Sequence, residues 1–437
     1  MEIDATSPEF RDWAAGLPID LLYCIRDLLG FPDLVRFRGV CRAWRETIPV
    51  SDPRTSMPSP WVVIPGGSSV YDWEEFKFVS LPKNGNLTLT FPGARCVGSS
   101  GGWLALVDAN LCITLVNALM SAADAQARAV KLPPLLRLAG NPSTVCSRTL
   151  QRRYIERIAF SPDPSSGDYA AAVLCRMWHG VAFTNSRRSG WQRLDWPFVQ
   201  GEPHPPDPIP EDELDDRHIS LNTGFDVVYH GGRFYYMTAC GRIWALDATA
   251  PPGTPVKPVL FATSQVPRDQ LLRYGKHMVF SEDGALHVVW SDLDGMPRMG
   301  GINGSLVRRW QPMRIQRYEP GSPWGWREVH HLGGRAFLIG SHSQSVCLEE
   351  PARKKTWLSP NCVYFTNIMP GSNMEHIPNT HPYIMEFDVV NGVFSTRNHF
   401  DHTDDNRPDV EYPWLYPANL PAGHPCLAWS KAIWFTP

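Results

Sequence analysis

The side chains best suited to chemistry cluster late in the chain, where His399, Asp401, His402, Asp404 and Asp405 fall in one short stretch. Imidazole nitrogens beside carboxylate oxygens are donors that a divalent cation accepts. A solvated loop has the same composition, and no metal ligand is assigned there. A second candidate is Gly201–Asp216, with five prolines and the run E-D-E-L-D-D. Its density of proline and like charge reads as a long acidic insertion and not as an acid/base carboxylate pair. His330 and His331 precede a strand, where neighbours face opposite ways, so they cannot easily share a ligand. Arg187-Arg188 and Arg353–Lys355 are short basic runs at turns, read as solubility features. The chain has no G-x-S-x-G elbow, no H-E-x-x-H, no Walker loop and no G-x-G-x-x-G after a strand. Gly98–Gly102, G-S-S-G-G, lacks a following lysine and helix pattern and is read as a turn between repeats. Catalytic, cofactor-binding and metal-binding residues are therefore each read as none, and the chain is expected not to be an enzyme.

Composition narrows the partners. Lys+Arg 41 against Asp+Glu 44 gives a formal charge of -3, so nothing global favours nucleic acid or an anionic membrane. No window approaches eighteen uninterrupted apolar residues, and the acidic N-terminus M-E-I-D-A-T-S-P-E-F lacks the apolar core of a secretory signal. The ten cysteines are scattered without a C-x-x-C pair, which reads as reduced, mostly buried thiols in a cytoplasmic or nuclear protein. With 41 prolines, 34 glycines and 17 tryptophans in 437 residues, most of the chain is punctuated too often for long helices. It should be built of many short strands, with the tryptophans mainly packing.

The exception is Leu17–Arg45. Leu17, Leu21, Leu22, Ile25, Leu28 and Leu29 form one apolar stripe of a helix with Pro18 in its first turn. Gly30 ends it, Pro32 and Asp33 open a second helix carrying Leu34, Phe37 and Val40, and Cys41, Trp44 and Ile48 mark a third short turn. So small a unit has too little interior to bury these side chains alone and needs a partner. The pattern of Leu17-Pro18, Asp20-Leu21-Leu22, Ile25, Leu28, Asp33-Leu34, Arg36-Phe37, Val40-Cys41 and Trp44-Arg45 resembles the F-box. That resemblance implies docking on a Skp-type adaptor and, through it, a cullin–RING ubiquitin ligase. The adaptor-binding residues would be Leu17, Pro18, Leu21, Leu22, Ile25, Leu28, Leu34, Phe37, Val40, Cys41 and Trp44. The domains read as an all-α F-box of three short helices over 11–50, a Pro/Ser linker over 51–60, and an all-β domain over 61–437.

A repeat organises the third part. Gly101-Gly102, Gly231-Gly232 and Gly333-Gly334 each precede a short apolar hairpin: W-L-A-L-V with L-C-I-T-L-V, R-F-Y-Y-M with R-I-W-A-L-D, and R-A-F-L-I-G with V-C-L-E-E. Weaker copies start at Gly180 and Gly284, the latter continuing to Leu306–Trp310. The intervals from Gly102 to Gly334 are 78, 52, 52 and 50 residues. A period near fifty with glycine before the hairpin is the spacing of a kelch-like propeller blade. Counting at that period from residue 61 gives seven blades and the clear copies support five or six; the domain is read as a kelch-like propeller of about six to seven blades. The ring is expected to close by pairing Trp61–Ile64 with a last hairpin of Ile384–Phe387 and Val393–Ser395.

With N-C-V-Y-F-T-N at Asn361–Asn367 and the terminal I-W-F-T-P, the whole resembles a plant F-box family with a KIB-type β-propeller. The function this implies is substrate recognition in a Skp–cullin–F-box ubiquitin ligase, with an unidentified protein held by the propeller. The alternative is a propeller that occludes or scaffolds a partner without ubiquitination. A third reading, an enzyme, would need a small-molecule site in the central channel.

Overall fold

The computed structural model describes residues 17–29, 37, 44, 61–65, 75–80, 86–90, 94–118, 129–135, 155–164, 167–175, 180–194, 224–264, 274–292, 298–299, 306–307, 313–322, 325–340, 344–349, 358–366, 384–396 and 433–435. Helix α1 runs over Ile19–Leu28, beginning just after Pro18. The Pro18 carbonyl accepts hydrogen bonds from the Leu21 and Leu22 amides at 3.0 and 3.2 Å, and Asp20 complements the positive end of the helix in its first turn. Leu22 and Phe37 form the centre of a small core, with Leu17, Ile25, Leu29 and Trp44 packed around them. The Phe37 and Trp44 rings lie 4.4 Å apart. Both residues are helical, and the remainder of the second and third expected helices lies outside the described residues.

The rest is β-propeller. Strands β1 (Trp61–Pro65), β2 (Glu75–Ser80) and β3 (Asn86–Thr90) form a sheet with the C-terminal strand Ile433–Phe435. The next three sheets are simple four-stranded meanders. They comprise β4 (Arg95–Ser100), β5 (Trp103–Val107), β6 (Ile113–Asn117) and β7 (Val130–Lys131), then β8 (Ile155–Phe160), β9 (Ala170–Cys175), β10 (Gly180–Asn185) and β11 (Gln192–Arg193), then β12 (Gly224–His230), β13 (Arg233–Thr238), β14 (Arg242–Asp247) and β15 (Val259–Thr263). The fifth sheet, β16 (Tyr274–Phe280), β17 (Leu286–Asp292), β20 (Arg314–Tyr318) and β21 (Trp326–Glu328), is interrupted by a small ribbon of β18 (Arg298–Met299) and β19 (Leu306–Val307). The last sheet has five strands, β22 (Ala336–Gly340), β23 (Val346–Leu348), β24 (Cys362–Thr366), β25 (Ile384–Asp388) and β26 (Val393–Thr396), in the order β23-β22-β24-β25-β26. Ile433–Phe435 is β27.

Each seam between neighbouring sheets is a separate core. Ile113, Leu115 and Trp103 meet Ile158, Phe160 and Val173 in one seam; Phe183 and Val181 meet Phe234, Tyr236 and Leu246 in the next. Met237 and Ile243 meet Met278, Val288 and Trp290 in the third, and Val289 and Ile315 meet Phe337, Ile339 and Val363 in the fourth. Strands covered on both faces need apolar residues on both, and every residue of β9 (A-A-A-V-L-C) and β10 is buried.

Three expectations are corrected. Five sheets have the four-stranded antiparallel form of a blade, whereas the last contains a parallel pair, β22 with β24, so neither six to seven blades nor a kelch-like repeat is supported. A fixed period miscounts because insertions such as β18–β19 stretch it. Two of the glycine pairs sit inside a blade, between its first and second strands: Gly101 and Gly102 have φ of 50° and 80° and turn β4 into β5, and Gly231 and Gly232 turn β12 into β13, whereas Gly333 and Gly334 lie between β21 and β22 of successive sheets. Gly98 belongs to β4 itself, where an added Cβ would stand 2.6 Å from the Ile158 carbonyl oxygen of the next blade. Third, Leu306-Val307 pairs with Arg298-Met299, and the strand that follows β17 in its blade is Arg314–Tyr318.

Ring closure is also made differently. Trp61, Val62 and Val63 pair with Phe435, Trp434 and Ile433, while the Ile384–Asp388 and Val393–Thr396 hairpin joins β24. Strand β27 also touches both β4 and β22, so the two ends of the all-β region meet where the ring shuts.

Candidate functional site

Helix α1 has two faces. Leu22, Ile25 and Leu29, three and four residues apart, turn inward with Leu17, Phe37 and Trp44. Ile19, Leu21 and Leu28 point outward at 52%, 49% and 87% exposure, and Pro18 is exposed beside them. The adaptor-binding set read from the sequence thus divides: Leu17, Leu22, Ile25, Phe37 and Trp44 pack on one another, and Pro18, Leu21 and Leu28 are exposed. Leu34, Val40 and Cys41 lie outside the described residues. Ile19, exposed in the helix's first turn, falls off the apolar stripe and was not among the residues read from the sequence. Burying a side chain of this size in an interface is worth about 1.5–3 kcal/mol.

The second place to look is the ring's interior, where the first strands of successive blades, β4, β8, β12 and β16, run side by side. Each such strand has one edge with no strand to pair with, and polar side chains cover these edges. Arg157 of β8 pairs with Asp226 of β12, both deeply buried. Asp226 also accepts from the Met278 amide of β16 at 2.6 Å and from the Val227 amide at 2.8 Å, while Arg157 donates to the Gly340 carbonyl at 2.8 Å. Arg95 donates to the Ile155 carbonyl, and Gln344 accepts from the Tyr229 amide at 3.2 Å. One ion pair therefore ties four sheets together, and Arg95, Arg157 and Asp226 each bond to backbone. Replacing Asp226 with Ala strands Arg157 and the Met278 amide in a buried setting. The expected loss is about 3–5 kcal/mol of stability, read by denaturant unfolding. A loss below about 1 kcal/mol would show that the hub is dispensable.

Two histidines add a pH dependence. His287 is buried and held down to about 4, first by burial and then by the Arg317 charge; His277 is held down to about 3, first by burial and then by Arg157 and Lys276. Unfolded, both take a proton near 6.5, so the unfolded chain binds protons first as pH falls. Their stabilisation is complete above pH 6.5 and declines toward pH 4, by about 1.4 kcal/mol per pH unit for each histidine. Thermal melts should show Tm falling between pH 6.5 and 5, above most carboxylate titration, and His287→Gln should flatten that slope. An unchanged Tm across this range would contradict the assignment.

The remaining candidates resolve into structure or lie out of view. His331 Nδ1 accepts from the Gly333 amide at 2.9 Å, capping the turn into β22. Arg188 is a clamp and not a solubility feature, donating to Gln192 Oε1 at 2.9 Å and to the Pro251 and Thr254 carbonyls at 2.8 and 2.9 Å, which fastens the loop before β15 onto the neighbouring blade. The outer edge of β15 is covered similarly, with its Phe261 and Thr263 carbonyls accepting from Tyr318 Oη and Trp326 Nε1. His399–Asp405, Gly201–Asp216 and Arg353–Lys355 lie outside the described residues. Among the described residues no group of three or more His, Cys, Asp or Glu could hold a metal, and no helix is long and apolar enough to cross a membrane. The seven described cysteines are all free thiols; burial pushes Cys96 up to about 12.

Comparison with known proteins agrees with this division into helical unit and ring. The F-box domain matches residues 15–52, and the KIB1-4 beta-propeller matches residues 70–395. The chain belongs to the KIB1-4 beta-propeller family. It is also similar to two Arabidopsis thaliana F-box proteins. The protein At5g66830 is 32% identical over 99 residues, covering 21% of this chain and 24% of that one; At2g05970 is 28% identical over 115 residues, covering 24% and 30%. The alignments thus span about a quarter of these relatives' own length. Among solved structures, the Cps50 (Swd1) beta-propeller domain of Myceliophteria thermophila gives a TM-score of 0.34 at 11% identity, covering 77% of each chain. The dihydro-heme d1 dehydrogenase NirN gives 0.31 at 12% identity, covering 79% of this chain and 61% of that one. Both likenesses are distant. This KIB1-4 propeller therefore carries an F-box ahead of its ring, as the resemblance in the sequence implied.

Proposed function

We propose that this protein is the substrate-recognition subunit of a Skp–cullin–F-box ubiquitin ligase, working in the cytoplasm, the nucleus or both. The observation that carries this reading is α1 itself: one face builds a core with Phe37 and Trp44, and the other leaves Ile19, Leu21 and Leu28 uncovered. A helix that is apolar on both faces fits a role between its own small domain and a partner. The F-box match supports a Skp-type adaptor as that partner. The propeller supplies a rigid frame whose loops hold the target protein, and catalysis is proximity given to a separate conjugating enzyme. The engagement of Arg157, Asp226 and Gln344 with backbone supports a non-catalytic ring over one with a reactive channel. Reconstitution of this chain with adaptor, cullin and RING subunits and a captured target tests the proposal. Ubiquitin transfer that requires the F-box supports it; stable assembly and target binding without transfer would favour the occluding or scaffolding role instead.

A further inference from the structure

The loop between β14 and β15, residues 248–258, is held from behind and open in front. From behind, Asn185 donates to the Ala248 and Ala250 carbonyls at 3.1 and 3.0 Å, and Gln192 accepts from the Val256 amide at 3.0 Å and donates to its carbonyl at 3.2 Å. Arg188 takes the Pro251 and Thr254 carbonyls at 2.8 and 2.9 Å. All three side chains come from the last two strands of the neighbouring β8–β11 blade and the turn that joins them. In front, residues 251–255 and 257 are exposed. Proline fixes its own φ and drives the residue before it to extended backbone, so Thr254, Pro255, Lys257 and Pro258 are extended by sequence alone. The loop thus presents an ordered, extended strip with a hydroxyl at its start.

The strip reads Thr254-Pro255-Val256-Lys257. Of the chain's seven Ser-Pro or Thr-Pro pairs, this one alone has a basic residue three positions after the hydroxyl, which sets it apart as an enzyme's substrate. Proline after the acceptor offers no N–H, and the cation beyond it suits an acidic rim, the features a proline-directed protein kinase reads. The surroundings also fit the product. The Pro251 carbonyl accepts from Arg188 Nη2 at 2.8 Å and from Thr254 Oγ1 at 3.4 Å, so a single oxygen separates the hydroxyl from the guanidinium. Arg188 Nε has no hydrogen-bond partner, and among the described residues no carboxylate pairs with Arg188. Asp247, just before the loop, is engaged by the Thr249 amide and hydroxyl, both at 2.8 Å.

We propose that Thr254 is a phosphorylation site for a proline-directed protein kinase, and that its phosphate pairs with Arg188 across the seam between the β8–β11 and β12–β15 blades. In the step, Thr254 Oγ1 attacks the γ-phosphorus of ATP. An O–P bond forms, the bond from that phosphorus to the departing ADP oxygen breaks, and the hydroxyl proton passes to a carboxylate of the kinase. The product carries about −1.5 to −2 charge at pH 7 and three acceptor oxygens. Beside Arg188 it adds a charge-assisted contact to a loop already fastened through its carbonyls, with Lys257 as a second cation on the same strip. A rim bearing two cations becomes one without net positive charge, which changes the partners this rim attracts. The inference concerns the propeller alone and stands apart from adaptor docking.

Incubating the purified full chain with ATP and a cyclin-dependent kinase, followed by peptide mass mapping, tests the site. One phosphate on Thr254 is expected, added severalfold faster than at any other Ser-Pro or Thr-Pro pair and absent in Thr254→Val. Phosphorus NMR of the modified protein then reads the pairing. The second ionisation of the phosphate, ordinarily at about pH 6, should fall by about half a unit or more in wild type and return in Arg188→Gln. Both the site and the shift are read in wild-type protein, so a variant that loosens the loop does not decide the matter. Phosphate at the other pairs with Thr254 unmodified would overturn the proposal. So would a peptide of residues 249–260 that is phosphorylated while the folded chain is not, or a phosphate on Thr254 that ionises as it does in that peptide.

Discussion

Removing residues 433–437 is expected to abolish the cooperative fold of the propeller while leaving the F-box helix intact. Strand β27 is only three residues long, and its direct pairing to β1 is confined to Trp61, Val62 and Val63. Its position makes it matter more than its length: it lies against both β4 and β22, so among the described residues it brings the first and last sheets together. In a ring of blades the core is the set of seams, each buried by a neighbour. Opening one seam uncovers two blade faces and an unpaired strand edge, both of which favour aggregation. The loss should therefore be that of a whole domain, on the order of 5 kcal/mol or more, and not that of three hydrogen-bonded pairs. Near-UV circular dichroism and size exclusion of the truncated protein would show it, as lost tertiary signal and a shift to oligomers. A monomeric truncated protein with an unchanged melting temperature would place ring closure elsewhere.

Much of this architecture was legible in the sequence, for identifiable reasons. Turns that need positive φ declare themselves through paired glycines, so Gly231-Gly232 and Gly333-Gly334 marked the hairpins correctly. The first strand of each blade was harder to see. It must place side chains toward the ring's interior, and it does so with R-C-V-G-S-S in β4 and I-E-R-I-A-F in β8, where arginine and serine interrupt the apolar run. Strand pairing across several hundred residues leaves no local trace, which is why Trp61–Ile64 was assigned to the wrong partner. The buried Arg157–Asp226 hub was invisible for the same reason: its members are 69 residues apart and acquire meaning only when β8 and β12 stand side by side. In the helical unit the apolar stripe was read correctly as a stripe. What it could not reveal was direction, because Leu17, Leu22 and Ile25 serve the unit's own core and Leu21 and Leu28 serve its surface.

That division of α1 yields the most direct test of the central claim, that this chain docks on a Skp-type adaptor through the outward face of its F-box helix. Leu21→Asp and Leu28→Asp each put a charge on an exposed position, so folding should be preserved within about 0.5 kcal/mol. If each residue is buried at the interface, the lost burial and the desolvated carboxylate together should cost about 3 kcal/mol or more per site. At about 1.4 kcal/mol per decade, that is at least a hundredfold in affinity. Leu22→Ala acts differently, since it empties the unit's own core and should weaken binding only by unfolding the helix, seen as lost helical signal. The measurement is a calorimetric titration of the purified chain with the adaptor, wild type against Leu21→Asp and Leu28→Asp. The account predicts tight binding for wild type and at least a hundredfold weaker binding for both folded variants. Wild-type affinity in both variants would contradict it.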